Sequence, residues 1–307
     1  MGQPTAPQRD GALLFALTPP RRSTEAVRAA QIADATLARL EQVRPDAVLL
    51  YDITDESDRT DQERPFPFLP TMDPGDYWER HFDDCPYPVV VYRAVAHHPE
   101  PALRDWLARQ DPARVGTIFV GGSTSQVEMA TTLPRAYELR REARPELRVG
   151  GVAIPERHTR DGREHHKLLR KQRAGCSFFV TQIVYDVNAA KNMVSDYRLA
   201  CDAAGVAMAP VVFTLSVAGS SKTLEFMRWL GVEVPRWLEN ALRNTPDPLS
   251  ESAEQCRATA RELSAFCRRL GLPFGFNVES VSIRRAEIEA SVELAADLRK
   301  DLARQVH

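Results

Sequence analysis

Side chains able to do chemistry cluster just after short apolar runs. Gln182 interrupts the apolar, β-branched run Ser177 to Val184. Its amide both donates and accepts, which suits a heterocycle with alternating donors and acceptors. A core glutamine satisfied by backbone is the competing reading. Glu279 lies near the end of the run Phe274 to Ser280, which also carries Asn277, a candidate substrate contact. Strand alternation points Glu279 inward, where burial raises a carboxyl pKa toward a range useful for proton transfer. A structural Glu paired with Arg93 or Arg285 is the alternative. Asp52, Asp55 and Glu56 follow an earlier apolar run and are further candidate acids. Gly219-Ser220-Ser221-Lys222 offers backbone N–H groups to an anion at a helix start, or a simple cap. His158 follows Pro155-Glu156 and, taken alone, reads as a solvated loop histidine. His97-His98 and His165-His166 do not read as metal sites. Adjacent histidines point in different directions, and no acidic or Cys ligand accompanies them at useful spacing. No GxSxG or HExxH suggests a hydrolase or zincin.

These residues need elements to position them. Strand candidates are Ala12 to Leu17, Asp46 to Tyr51, Pro88 to Val95, Val115 to Val120, Leu147 to Ile154, Ser177 to Val184, Ala207 to Thr214 and Phe274 to Ser280. Between them, helical spacing runs from Ser23 or Thr24 to Val43, then over Asp76 to Phe82, Pro101 to Arg109 and Ser125 to Ala143. It returns in the helix that carries Leu168 and Leu169, over Asn188 to Ala204, and from Ser221 through Leu230. Further helices cover Pro235 to Leu242, Ser250 to Leu270 and Arg285 to Arg304. Eight strands alternating with helices predict a single (β/α)8 TIM barrel with extra helices over residues 1–307, the first ten a loose tail. A doubly wound sheet is the rival, but no GxGxxG follows the first strand. Active sites of such barrels sit at the C-terminal ends of the strands, where the residues above fall. The long polar loop after the second strand, with its stiff Arg64-Pro65-Phe66-Pro67-Phe68 segment, is a candidate lid or plug.

At 307 residues the chain can bury a large core. A net charge of -2 gives no reason to expect nucleic acid or an anionic membrane as partner. Five widely spaced cysteines without CxxC argue against a full set of internal disulfides and predict a reducing, cytoplasmic setting. The N-terminus lacks the pattern of a signal peptide, and no apolar run approaches the length of a membrane span. A homo-oligomer stays open.

The stretch Glu164 to Asp186 resembles the methylenetetrahydrofolate reductase family. There a helix with a basic pair leads through Ala-Gly to a strand ending Thr-Gln; here these are Arg170-Lys171, Ala174-Gly175 and Thr181-Gln182, followed by Tyr185-Asp186. Ile154-Pro155-Glu156-Arg157-His158 is similar to the family's Pro-Glu-x-His segment. The resemblance implies hydride transfer from NAD(P)H through FAD to the methylene carbon of 5,10-methylenetetrahydrofolate. It places His158, Glu164, Arg170 and Lys171 on FAD and Gln182 on the pterin. Substrate and nicotinamide contacts fall in the loop that holds Ser220, where a family aromatic is replaced. Two further positions depart. Ala16 stands where the first-strand Glu serves as general acid, and Gly121-Gly122-Ser123 replaces Arg-Gly-Asp after the fourth strand. Losing a positioned acid costs on the order of 10²–10⁴ in rate, so another group takes over, Glu279 foremost, or the chemistry changes. The alternatives are a non-redox folate or C1-carrier-binding protein, a one-carbon transferase, or a flavin-independent reductase.

Overall fold

The computed structural model describes residues 11–55, 63–122 and 129–304. Eight parallel strands, β1 (Ala12–Leu17), β2 (Ala47–Leu50), β3 (Val89–Ala94), β4 (Val115–Val120), β5 (Arg148–Ala153), β6 (Cys176–Ile183), β7 (Val211–Ser216) and β8 (Phe274–Glu279), close into a barrel in sequence order. The helices around it are α1 (Ala26–Val43), α2 (Pro74–His81), α3 (Glu100–Arg109), α4 (Leu133–Ala143), α5 (Pro155–Asp161), α6 (Glu164–Arg173), α7 (Val187–Ala204), α8 (Ser221–Trp229), α9 (Arg236–Asn244), α10 (Pro248–Leu270) and α11 (Arg285–Arg304). The (β/α)8 expectation is met.

Most expected boundaries hold within one or two residues. The seventh strand does not: it runs from Val211 to Ser216, four residues later than Ala207 at its start. Pro210 has no N–H to join the ladder, so the strand begins after it, and the Pro210 carbonyl instead accepts from Phe179 N–H. The helix expected from Ser125 begins at Leu133 among the described residues, behind the Thr132 side chain that accepts from Arg135 N–H; residues 125–128 lie outside the described residues.

Alternate side chains fill the bore. Leu14, Leu49, Val90, Ile118, Phe178 and Val212 form one buried cluster with Ala12, Ala16 and Ala47. The small residues are needed because Phe178 is large. A Cβ on Gly150 of β5 would lie 2.5 Å from the Phe178 ring and 2.9 Å from Ile118. The opposite strand faces pack on the outer helices in a second, larger core; on α1 this face is Ala29, Ala33, Thr36, Leu40 and Val43, at helical spacing. A third cluster joins Ile183 and Tyr185 at the top of β6 to Leu224 and Met227 of α8 and Leu238 and Leu242 of α9. The α8–α9 hairpin therefore sits over the C-terminal ends of β6 and β7. All five cysteines are free and buried.

Gly150→Ala is expected to destabilise the fold by about 1–3 kcal/mol through overpacking, read as a lower denaturant midpoint at unchanged slope. An unchanged midpoint would mean that Phe178 swings aside freely.

Candidate active site at the barrel mouth

Glu279 ends β8, buried at 8% exposure. On one side it is paired with Ser216 of β7. On the other, β1 and β8 run in register to Phe15 and Val278, so the next step brings Ala16 beside Glu279. Burial pushes the Glu279 pKa up to about 7, against the pull of a hydrogen bond donated by the Tyr51 hydroxyl. Tyr51 is pushed well above its ordinary value by burial, then by the Glu279 charge, and remains a donor. Tyr92 packs edge-on against Tyr51 with centroids 4.9 Å apart. Asn277 donates through Nδ2 to Tyr51 Oη and to Thr214 Oγ1, both at 3.3 Å. Asn277 Oδ1 and Ser216 Oγ are buried without a hydrogen-bond partner. A carboxyl with a raised pKa, a tyrosine and two unspent polar atoms thus converge where ligands of such barrels bind.

The pairing of Glu279 with Arg93 or Arg285 does not form. Arg93 leaves the barrel to meet Asp73 Oδ2 at 2.5 Å and lies over the Trp106 ring at 4.1 Å. Arg285 is 91% exposed beside Glu289. Asp52 is no proton donor either. Burial opposes its charge, but the His98 ring at 3.0 Å and the Ala94 N–H at 2.8 Å hold its pKa below the ordinary value.

Gln182 lies in a bulge. The β6–β7 register runs Val180 with Val212, then Ile183 with Thr214, so β6 carries one extra residue there. Bulges re-aim side chains beside active sites. The half-buried Gln182 amide donates to the Leu230 carbonyl at 2.9 Å, tying β6 to the end of α8. Ser220 caps α8, accepting from Thr223 N–H at 3.2 Å. The anion expected at this helix start is supplied from within: Glu287 of α11 accepts from Gly219 N–H at 2.6 Å and from Thr223 Oγ1 at 2.8 Å. Above them the Arg64 guanidinium lies over the rings of Phe68, Phe226 and Trp229, and Lys222 over Phe66. The aromatic segment after β2 thus forms a roof on α8. Beside it an open cleft of about 500 Å³ is lined by Glu63, Arg64, Pro65, Ser221, Lys222 and Glu225.

Three of the four residues that the resemblance assigns to FAD have other partners. His158 lies on α5 rather than on a loop, with Nε2 3.1 Å from Asp196 Oδ2 of α7. Glu164 is buried, accepting from Ile154 N–H at 3.2 Å and from Lys167 Nζ at 3.0 Å. Lys171 reaches back along β5 to the Val152 carbonyl at 2.5 Å, and burial lowers its pKa. Arg170 is exposed on the outer helix surface. Ser123 lies outside the described residues.

The family model described as methylenetetrahydrofolate reductase matches residues 106–270. An uncharacterised protein from Clostridium thermocellum that binds two copies of 5-methyl-5,6,7,8-tetrahydrofolic acid is 36% identical, with 96% of this chain and 97% of that one covered at a TM-score of 0.84. This chain belongs to the methylenetetrahydrofolate reductase family. The oxygenating constituent of 3,6-diketocamphane monooxygenase from Pseudomonas putida is 10% identical over 94% of this chain and 97% of that one, TM-score 0.53. Xylanase XynB from Paenibacillus barcinonensis is 12% identical over 88% and 84%, TM-score 0.50. These two share the fold alone. No curated protein is significantly similar.

Family membership implies FAD, but the residues present do not fit the group as the resemblance would hold it. Glu164, Lys171 and His158 are bonded within the protein, and the glycine pair Gly121-Gly122 offers no charged side chain where the family has Arg-Gly. Sequence reasoning singled out Glu279 and Asn277, held Tyr51 and Ser216 among the strand-end positions without giving either a role, and missed Glu287. Parity would have found Tyr51, two residues beyond Leu49 on the bore-facing side of β2. Glu287 carried no local signal, being 68 residues from the glycine it bonds. A second carboxyl at the rim was also missed: burial pushes Glu156, at the start of α5, up to about 7.

The Glu279 shift has a definite sign. A folded carboxyl with a pKa above its unfolded value of 4.5 binds its proton more tightly when folded, so its contribution is most favourable at low pH and is lost as pH rises to about 7. Denaturant unfolding across this window is expected to show the wild type losing up to roughly 3 kcal/mol relative to Glu279→Gln, with no further change above it. A difference independent of pH would mean that the carboxyl is not held protonated.

Proposed function

We propose that this chain reduces a C1-carrying tetrahydrofolate at the barrel mouth, with Glu279 as the proton donor and a nicotinamide as direct hydride source. The observation that carries this reading is the position of Glu279, next to Ala16 on the neighbouring strand and with a pKa near neutrality. The carboxylate absent from β1 has a substitute one strand away. Direct transfer, without flavin, is favoured by the internal bonding of Glu164, Lys171 and His158.

In 5,10-methylenetetrahydrofolate the methylene carbon bridges N5 and N10. Proton transfer from Glu279 to N10 lets the carbon–N10 bond break, its electron pair staying on nitrogen and leaving an N5 iminium. Hydride from NADH or NADPH then adds to the iminium carbon, giving 5-methyltetrahydrofolate and oxidised nicotinamide. Water returns a proton to Glu279. Tyr51 holds the carboxyl in place and donates to it once it is ionised. Asn277 Oδ1 and Ser216 Oγ are free to accept from or donate to a pterin edge, and Gln182 joins them where it exchanges the Leu230 carbonyl for ligand.

A second reading is folate binding without redox chemistry. It is favoured by the Clostridium relative, which binds the methylated folate.

The test is turnover of 5,10-methylenetetrahydrofolate by protein purified without added cofactor, with methyltetrahydrofolate detected by mass spectrometry. Colourless wild-type protein is expected to form product with a reduced nicotinamide, with kcat/KM falling as pH rises past about 7 because Glu279 must be protonated. Glu279→Gln should lose on the order of 10²–10⁴ in kcat while a reduced folate still raises its Tm. Product formed only after FAD is added would overturn direct transfer. Folate binding with no product under either condition would leave the non-redox reading.

A further inference from the structure

On the flank of the barrel, between β5 and β6, the chain doubles back. Gly162 ends α5 in the left-handed region at φ +63°, and α6 starts two residues later. The reversal brings His165, in the first turn of α6, onto His158 of α5, with ring centroids 5.3 Å apart and planes at 80°. Asp196, in the middle of α7, reaches the same point, its Oδ2 3.1 Å from His158 Nε2. One ligating atom from each of His158, His165 and Asp196 lies within 4.8 Å of the others, the group among the described residues with the makings of a metal site. Three helices each contribute one donor. Residue spacing hides it, because the carboxylate is 31 positions beyond the second histidine.

A plain His–Asp ion pair accounts for only part of this arrangement. It leaves the second imidazole unexplained, since His165 is pressed between His158 and His166, the latter with centroids 3.9 Å away. Three crowded imidazoles would repel one another if protonated. His165 Nδ1 is buried without a hydrogen-bond partner, a ring nitrogen with no other use at the cluster. His158 is 6% exposed, and its Nδ1 is buried without a hydrogen bond. Asp196 is 48% exposed and His165 partly exposed, which leaves a path for an ion and its water.

We propose that His158, His165 and Asp196 bind a divalent transition-metal ion, Zn²⁺ foremost, through two imidazoles and one carboxylate. Two nitrogens and one oxygen suit Zn²⁺ or Co²⁺ rather than Mg²⁺ or Ca²⁺, which prefer all-oxygen shells. Tetrahedral Zn²⁺ with bonds of about 2.0–2.1 Å needs donors about 3.3 Å apart. The His158–Asp196 pair already stands at that spacing, and His165 closes the rest by side-chain rotation. Three protein ligands leave a fourth position for water. A bound ion would staple α5, α6 and α7 at the rim beneath which β5 and β6 end. None of the three residues belongs to the Glu279 cluster, so this site stands or falls independently of the reductase reading.

The test uses the full chain, stripped with chelator and titrated with ZnCl₂ by calorimetry at neutral pH, and with CoCl₂ by visible absorption. One Zn²⁺ per chain is expected, with a rise in Tm, and Co²⁺ should give the visible bands of a four-coordinate ion. Because His158 is buried and its replacement risks the fold, the deciding variants are His165→Asn and Asp196→Asn at the more open positions. Each should weaken Zn²⁺ at least tenfold and abolish the Co²⁺ bands while leaving the metal-free Tm close to wild type; MgCl₂ should shift nothing. Absence of a stoichiometric site, or Zn²⁺ binding that both variants retain, would overturn the proposal.

Discussion

Burial of one carboxyl against one phenol sets the character of the barrel mouth. Glu279 is at once an acid at the open end of the barrel and a group that water scarcely reaches. Such a group keeps its proton to near-neutral pH unless a partner compensates its charge. The partner present is Tyr51, a neutral donor, where an arginine would have fixed the charge and ended any role in proton transfer. The rest of the mouth follows from that pairing. Asn277, which also donates to Thr214, holds the phenol, Tyr92 packs on its ring, and Arg93 of β3 turns outward to Asp73 and Trp106.

The same economy governs the rim. Where the fold leaves donors at a helix start, a carboxylate of the chain fills them, as Glu287 does at Gly219 and Thr223. Where the family would place cationic and acidic contacts to a flavin, Lys171 and Glu164 serve the backbone of β5 and its corner. Substituting Ala16 for an acid and Gly121-Gly122 for a charged turn therefore belongs to a wider shift. Glu164 and Lys171 serve architecture, and the polar groups of β2, β7 and β8 face the mouth.

Much of this was legible in the sequence. Alternation of apolar runs with helical spacing fixes the barrel because each run must bury both faces, and eight such runs in order close it. The inward pointing of Glu279 follows from the period of two along β8. What escaped has a common cause. The partner of Glu279, the filling of the α8 start by Glu287, and the meeting of His158 with Asp196 all join residues tens to hundreds of positions apart, and no local pattern encodes such meetings. The bulge at Thr181 and Gln182 escaped for another reason: a single extra residue in one strand shows only against its neighbour's register.

Gly150 and Phe178 set the depth available to any ligand. The benzyl group of Phe178 occupies the space that a side chain on Gly150 would claim, and with Leu14, Leu49, Ile118 and Val212 it closes the bore below the mouth. Whatever meets the strand ends at the mouth therefore rests on an apolar floor, not on an open channel through the barrel.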